Sequence, residues 1–152
     1  MSSDYWRFVE PVWDSISIYD GEETFLRQFG KAPKKSATLF AAHWFQSEVM
    51  NGGLGQFFSN STGVLAPEVV EALRVIGMPE CAAALAEAMK FFGDPYPRER
   101  DIRENVFEKF FEDHGEEAIP LQEQEDAMAG LIEEENGGFW DLADKYADSP
   151  ED

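Results

Sequence analysis

The sequence predicts an all-α protein, a compact single-domain helical bundle around one buried central helix. Two observations predict this class. No segment shows the sustained apolar–polar alternation of a strand, and Leu39–Met50 is apolar on nearly every side when arranged as a helix. We therefore expect Trp44 and Phe45 to be shielded from solvent. A chain of 152 residues, 43% of them hydrophobic, is long enough to bury such a core as one domain.

Glycine, proline and asparagine divide the rest of the chain into helices. Aromatic residues and Pro11 predict a first helix within Tyr5–Tyr19, and a second, Glu22–Phe29, ends before Gly30. Asn51-Gly52-Gly53 ends the central helix, and Leu54–Ser59 resumes as a short one. Asn136-Gly137-Gly138 is a second stop of the same kind. Later helices are expected at residues 67–76, 80–92, 98–113, 121–134 and 139–146.

Charge is the dominant feature of the composition. The chain carries 31 acids and 12 bases, a formal net charge of −19, and residues 91–152 hold 20 of the acids against 5 bases. Direct nucleic-acid binding needs a basic footprint, and an anionic membrane would repel such a surface, so we expect neither partner. One cysteine, Cys81 in an alanine-rich run, predicts an inert buried thiol and a cytoplasmic protein. No apolar run reaches the length of a membrane span, and no signal peptide is expected.

Two acidic helix faces are the candidate partner-binding surfaces. In the helix over residues 98–113, the apolar side chains are Ile102, Val106, Phe107, Phe110 and Phe111, and the opposite face carries Asp101, Glu104, Glu108 and Glu112. The next helix repeats the design, with Leu121, Met128, Leu131 and Ile132 inward and Glu123, Asp126, Glu133 and Glu134 outward. Side by side, the two helices would present two rows of carboxylates whose spacing is comparable to that of phosphates on DNA.

The residues around the first stop form a motif, E-V-x-N-G-G-x-x-Q-F-F-x-N-S-x-G, which begins at Glu48. The motif is similar to the signature of a bacterial family filed as a domain of unknown function. That family includes an acidic DNA-mimic protein, which occupies the DNA-binding face of a transcription factor. The resemblance runs from about Trp6 to Tyr96, so we divide the domain into a family-like part, residues 1–96, and an acidic helical part, residues 97–152, with a frayed tail.

We interpret the polar motif residues as structural, with their side chains satisfying backbone groups at the helix break; the alternative is that they line a small pocket near His43. These residues are Glu48, Asn51, Gly52, Gly53, Gln56 and Asn60. His114 is expected to hydrogen-bond at a helix C-terminus. Lys31, Lys34 and Lys35 form the one basic cluster, which we interpret as a solvated linker; the alternative is that it pairs with acids elsewhere in the chain.

No catalytic motif, metal-ligand spacing or calcium loop is present, so we expect no enzyme activity, no metal and no cofactor. The functional hypothesis is an acidic DNA mimic, which binds a basic DNA-binding protein such as a helix-turn-helix transcription factor and blocks its access to DNA. The alternative is an acidic inhibitory or scaffold partner of a basic protein that does not bind DNA, such as a toxin. The oligomeric state, monomer or homodimer, stays open.

Overall fold

A computed structural model describes residues 4–150 and confirms the all-α prediction. Within these residues there are eight α-helices and no strand. Short 3-10 turns lie at Glu10–Val12, Ser61–Leu65, Lys90–Phe92 and Glu135–Gly137. The helices are α1 (Trp6–Val9), α2 (Glu22–Lys31), α3 (Lys34–Ser59), α4 (Ala66–Ile76), α5 (Pro79–Met89), α6 (Arg100–His114), α7 (Gln122–Glu134) and α8 (Phe139–Asp148).

The central helix α3 contacts α1, α4, α6, α7 and α8. Phe45 is fully buried, and Trp44 is half-buried, stacked on Trp13 with ring centroids 5.0 Å apart. α3 begins at Lys34, earlier than the expected Leu39, because Ala37 and Thr38 also pack into the interior. The expected break falls at Gly53, and the chain resumes as a helix to Ser59.

Two helix boundaries in the first part of the chain differ from the prediction. α1 is a single turn followed by a 3-10 turn, and Ile16 and Ile18 are buried on irregular backbone, so no helix extends toward Tyr19. α2 continues past Gly30 to Lys31. It ends there because Ala32 precedes Pro33, whose ring forces the preceding residue into extended backbone, at φ −75° and ψ 150°.

The apolar face of α6 differs from the prediction. Ile102 is 49% exposed, whereas Arg103 is fully buried. The Arg103 guanidinium donates to the carbonyls of Phe58 at 2.8 Å and Asn60 at 2.9 Å, and to those of Pro97 and Arg98. Phe58 and Asn60 lie at the C-terminal end of α3, where carbonyls need partners from outside the helix, so α6 buries Arg103 there and leaves Ile102 exposed.

The family-like part and the acidic part share one hydrophobic core. Met128 and Ile132 of α7 and Phe139 of α8 are buried in the same cluster as the α3 side chains. Cys81 is buried with its Sγ 3.5 Å from Met128 Sδ, and burial raises the pKa of its thiol to about 12. The thiol is therefore protonated and packed, as the sequence predicts.

Lys35 is buried, so the prediction of a solvated linker is wrong for this residue. Its Nζ donates to the carbonyls of Ala147 at 3.1 Å and Ser149 at 2.6 Å, and lies 5.1 Å from the centroid of the Phe8 ring. The ammonium thereby caps the C-terminus of α8, where the helix dipole favours a cation. Ser149, in the expected frayed tail, is held by this contact; Glu151 and Asp152 lie outside the described residues. No helix in residues 4–150 is long and apolar enough to cross a membrane.

Candidate functional site

The acidic face of α6 points into solvent. Asp101, Glu108 and Glu112 are exposed, and none of these three carboxylates makes a hydrogen bond or ion pair within residues 4–150. Glu104 differs from them, because it is half-buried and its Oε2 lies 3.3 Å from Arg100 Nε. The face therefore carries three free carboxylates and one that is partly neutralised.

The acidic face of α7 is also exposed. Glu123, Glu133 and Glu134 have no side-chain partner in the part of the chain that the structure describes. Asp126 accepts a hydrogen bond from Gln122 Nε2 at 2.9 Å, which leaves its charge uncompensated. All four carboxylates predicted to face outward on this helix do so.

The bases of the acidic part are largely committed to internal contacts. Arg98 is bound by Glu68 at 2.8 Å, Arg103 is buried against carbonyls, and Lys109 lies 3.9 Å from Asp113. These pairings leave the outward carboxylates of α6 and α7, apart from Glu104, without an ion-pair partner within residues 4–150. Both helices pack against α3: α6 contacts the C-terminal end of α3, and α7 contacts the break in α3. The same helix therefore holds both acidic faces in place.

Two further carboxylates, Glu125 and Glu135, point inward and were missed from the sequence. Glu125 accepts the backbone N–H groups of Leu54 and Gly55, both at 2.8 Å, at the start of the resumed half of α3. Glu135 accepts those of Glu80 at 2.7 Å and Cys81 at 2.8 Å at the start of α5. Each lies three residues from a buried apolar side chain of α7, a spacing that places it on the inward face. Both carboxylates cap helix N-termini, where unpaired N–H groups and the dipole favour an anion.

The polar motif residues converge on Glu48. Its Oε1 accepts hydrogen bonds from Gln56 Nε2 at 3.2 Å and Asn60 Nδ2 at 2.8 Å. The two amides therefore bind a carboxylate and not the backbone groups expected from the sequence, because Glu125 already occupies the N–H groups at the break. Asn51 is exposed, and its side chain makes no hydrogen bond within residues 4–150. Gly52 leaves room for the Gln56 side chain, and Gly53 for Glu125.

The two histidines have different surroundings. His43 is enclosed by the Trp6 and Trp13 rings, and its Nδ1 is hydrogen-bonded to the Tyr5 hydroxyl at 2.8 Å. Burial lowers the pKa of His43 to about 4, and burial with the nearby Asp144 charge raises the pKa of Tyr5 to about 12, so both are neutral at pH 7. His114 packs against Phe110 with the ring centroids 4.5 Å apart and the rings tilted by 38°; the hydrogen bond expected there is absent within residues 4–150.

These features define an acidic all-α protein that presents unpaired carboxylates on two helices. The family model described as DMP19-like protein matches residues 30–149, so the chain belongs to the DMP19-like family. DMP19 is a DNA-mimic family. The matched region includes α6, α7 and α8. The family region therefore extends beyond Tyr96, where we expected the resemblance to end, and includes most of the acidic part. Searches of curated proteins and of solved structures gave no match.

Proposed function

We propose that this protein is a DNA mimic that binds a basic DNA-binding protein, such as a helix-turn-helix transcription factor, and blocks its access to DNA. The observation that carries the proposal is the set of exposed carboxylates on α6 and α7 that form no ion pair within residues 4–150. Binding alone performs this function, and no chemical step is needed.

The spacing of the carboxylates suits a surface that normally contacts phosphates. Glu108 and Glu112 are one helical turn apart, about 6 Å along the axis. Successive phosphates advance about 3.4 Å along a DNA strand while winding around it, which gives a comparable separation through space. A surface of lysines and arginines that is spaced for phosphates can thus pair with both carboxylates at once.

The energetics favour a partner with many basic groups. A single exposed ion pair contributes about 0–1 kcal/mol, so affinity has to come from several pairs formed together. Complementary fields also speed the encounter, and they weaken as salt screens charges beyond about 8–10 Å. The proposal therefore expects affinity to fall steeply with ionic strength.

The test begins with capture of the partner from a lysate of the source organism, followed by displacement of a labelled DNA duplex from the purified partner. The unmodified chain should displace the duplex. The double variant Glu108→Lys with Glu112→Lys should need about tenfold more protein or worse, since it replaces two attractions by two repulsions. These side chains are exposed and unpaired, so the variant should fold normally.

The matched control is the double variant Glu10→Lys with Asp14→Lys, which makes the same change in net charge on exposed residues far from α6 in sequence. It should displace DNA nearly as well as the unmodified chain. Equal loss of DNA displacement in both variants would show that only general electrostatics matters. No loss in either variant would show that the acidic residues serve solubility alone. A partner that binds this protein and DNA together would favour the alternative of an acidic partner acting elsewhere.

Direct binding to DNA is tested by a gel shift of duplex DNA with this protein alone, which should give no shifted band.

A further inference from the structure

The proposed function leaves the polar motif residues unused, although they line a cavity. Glu48, Asn60 and Ser61 form part of the wall of a cavity of about 130 Å³. Trp44, one turn before Glu48 on α3, also lines it, and residues distant in sequence complete it, namely Ile18 and Tyr19 from the loop before α2 and Arg100 from α6. The fold thus brings one carboxylate, one guanidinium, an amide and a hydroxyl to one small space.

Several polar atoms around this cavity have no partner within residues 4–150. Glu48 uses Oε1 to bind both amides, which leaves Oε2 free. Arg100 uses Nε for the Ser59 carbonyl at 2.7 Å and for Glu104, which leaves both terminal nitrogens free. The Ser61 hydroxyl and the Asn60 side-chain carbonyl also make no hydrogen bond in the described part of the chain. A ligand that binds here can therefore be both a donor and an acceptor.

The two charges are held in place by contacts outside the cavity. Two amide donors fix the Glu48 carboxylate, and the Ser59 carbonyl with Glu104 fixes the Arg100 guanidinium. Glu48 and Arg100 do not pair with each other in the structure, although they line the same space. A ligand with an ammonium group and a carboxylate on the same carbon atom would bind both charges.

A second cavity with an aromatic wall adjoins the charged cavity. Trp44 and Tyr19 also line this cavity of about 280 Å³, together with Trp13, Ile16 and the polar residues Asp14 and Ser17. The Trp13 and Trp44 rings stack at an angle of 16°, and Tyr19 is 72% exposed on the solvent side. This aromatic wall suits an organic side chain that projects from the charged end of a ligand.

We infer that this cavity binds a small zwitterion of the α-amino acid class, with its ammonium on Glu48 Oε2 and its carboxylate on the terminal nitrogens of Arg100. The side chain of the ligand lies against Trp44 and Tyr19. Charge-assisted hydrogen bonds at both ends give the site its selectivity. The site goes beyond DNA mimicry, because it uses none of the unpaired carboxylates of α6 and α7.

The test follows the indole N–H resonance of Trp44 by two-dimensional NMR in the full chain, with the resonance assigned through Trp44→Phe. The probe is a mixture of the common L-α-amino acids, which are then added one at a time. At least one of them should shift the resonance saturably. Absence of a saturable shift with any of them overturns the inference.

Two variants examine the charged contacts. Glu48→Gln keeps an oxygen for the two amides while removing the charge, and Arg100→Gln removes the guanidinium; each should weaken binding by about tenfold or more. Glu10→Gln and Arg27→Gln are the matched controls, since both residues are exposed and their side chains have no partner in residues 4–150. Equal weakening in the controls overturns the assignment to this cavity.

Two ligand analogues separate a zwitterion site from a simple charge site. The N-acetyl derivative of the bound amino acid lacks the ammonium, and the corresponding decarboxylated amine lacks the carboxylate. Both should bind about tenfold more weakly or worse. An amine that binds as tightly as the corresponding amino acid would overturn the inference that the ligand is a zwitterion. Displacement of DNA by Glu48→Gln should equal that of the unmodified chain, which keeps this test distinct from that of the proposed function.

Discussion

His43 shows how one half-buried side chain ties the first helix to the centre of the fold. Its ring lies between aromatic side chains of the first 13 residues and is hydrogen-bonded to the Tyr5 hydroxyl, while the Tyr5 backbone N–H donates to Asp144 at 2.9 Å. The sequence did not indicate that His43 would be covered, because the covering residues come from a separate segment with weak helical periodicity.

The lowered pKa of His43 predicts a stability that depends on pH. The unfolded chain takes up a proton near the ordinary pKa of 6.5, whereas the folded state holds the ring neutral down to about pH 4. The contribution of the neutral ring is therefore complete above pH 6.5 and is lost as the pH falls toward 4. Over this range the free energy of unfolding should fall by about 3 kcal/mol or less from this group.

Chemical denaturation at pH 7 and pH 4.5 checks this prediction. The reference is His43→Gln, in which the amide oxygen can still accept from Tyr5 and no proton is taken up. Because carboxylates also titrate in this range, the informative quantity is the difference in pH dependence between the two proteins. An identical pH dependence in both would contradict it.

At the scale of the element, several helix ends are capped by charged side chains from distant segments. Glu125 and Glu135 cap N-termini, while Arg103 and Lys35 bind carbonyls at C-terminal ends. The signs follow the helix dipole. The sequence predicted where most helices begin and end, because glycine and proline act locally. It could not predict these caps, because periodicity treats a charged residue as outward and does not show which helix end lies opposite.

The break in α3 gives the element-scale prediction. Gly53 has φ 84° and ψ 179°, a conformation that is strained for any other residue, and a Cβ there would lie 2.6 Å from Glu125 Oε1. Gly53→Ala should therefore lower the free energy of unfolding by about 1–3 kcal/mol, as measured by urea denaturation.

Gly130→Ala in α7 is the matched control for this substitution. Gly130 has helical backbone, and nothing lies within 4 Å of an added Cβ. Alanine should stabilise the protein there by up to about 1 kcal/mol, because glycine is the poorer helix former. Opposite signs at the two glycines are the expected result. A stabilising Gly53→Ala would show that the break is not required for the packing of Glu125.

At the scale of the whole molecule, the strong separation of charge along the sequence coexists with a single core. Residues 1–90 carry 11 acids and 7 bases, far fewer acids than the remainder of the chain, yet buried residues from both parts form one cluster. The outward carboxylates were predictable because solvent exposure follows the local helical period. The cavity around Glu48 was not, because it needs Tyr19, Ser61 and Arg100 to meet across loops whose course the sequence does not indicate.

This shared core predicts that residues 1–96 do not fold alone. Without residues 97–152, the fragment would expose the surface that Met128, Ile132 and Phe139 cover. The N–H groups capped by Glu125 and Glu135 would also lose their carboxylate partners. Each buried polar group left unpaired costs about 1–3 kcal/mol, and each large apolar side chain lost from a core costs about 2–5 kcal/mol. Four such groups and three such side chains together cost about as much as, or more than, the about 5–15 kcal/mol by which most domains are stable. The isolated fragment should therefore show poorly dispersed amide resonances and no cooperative thermal transition, and addition of residues 97–152 as a separate chain should restore both. A fragment that unfolds cooperatively by itself would mean that the acidic part is an appendage, free to move relative to the core.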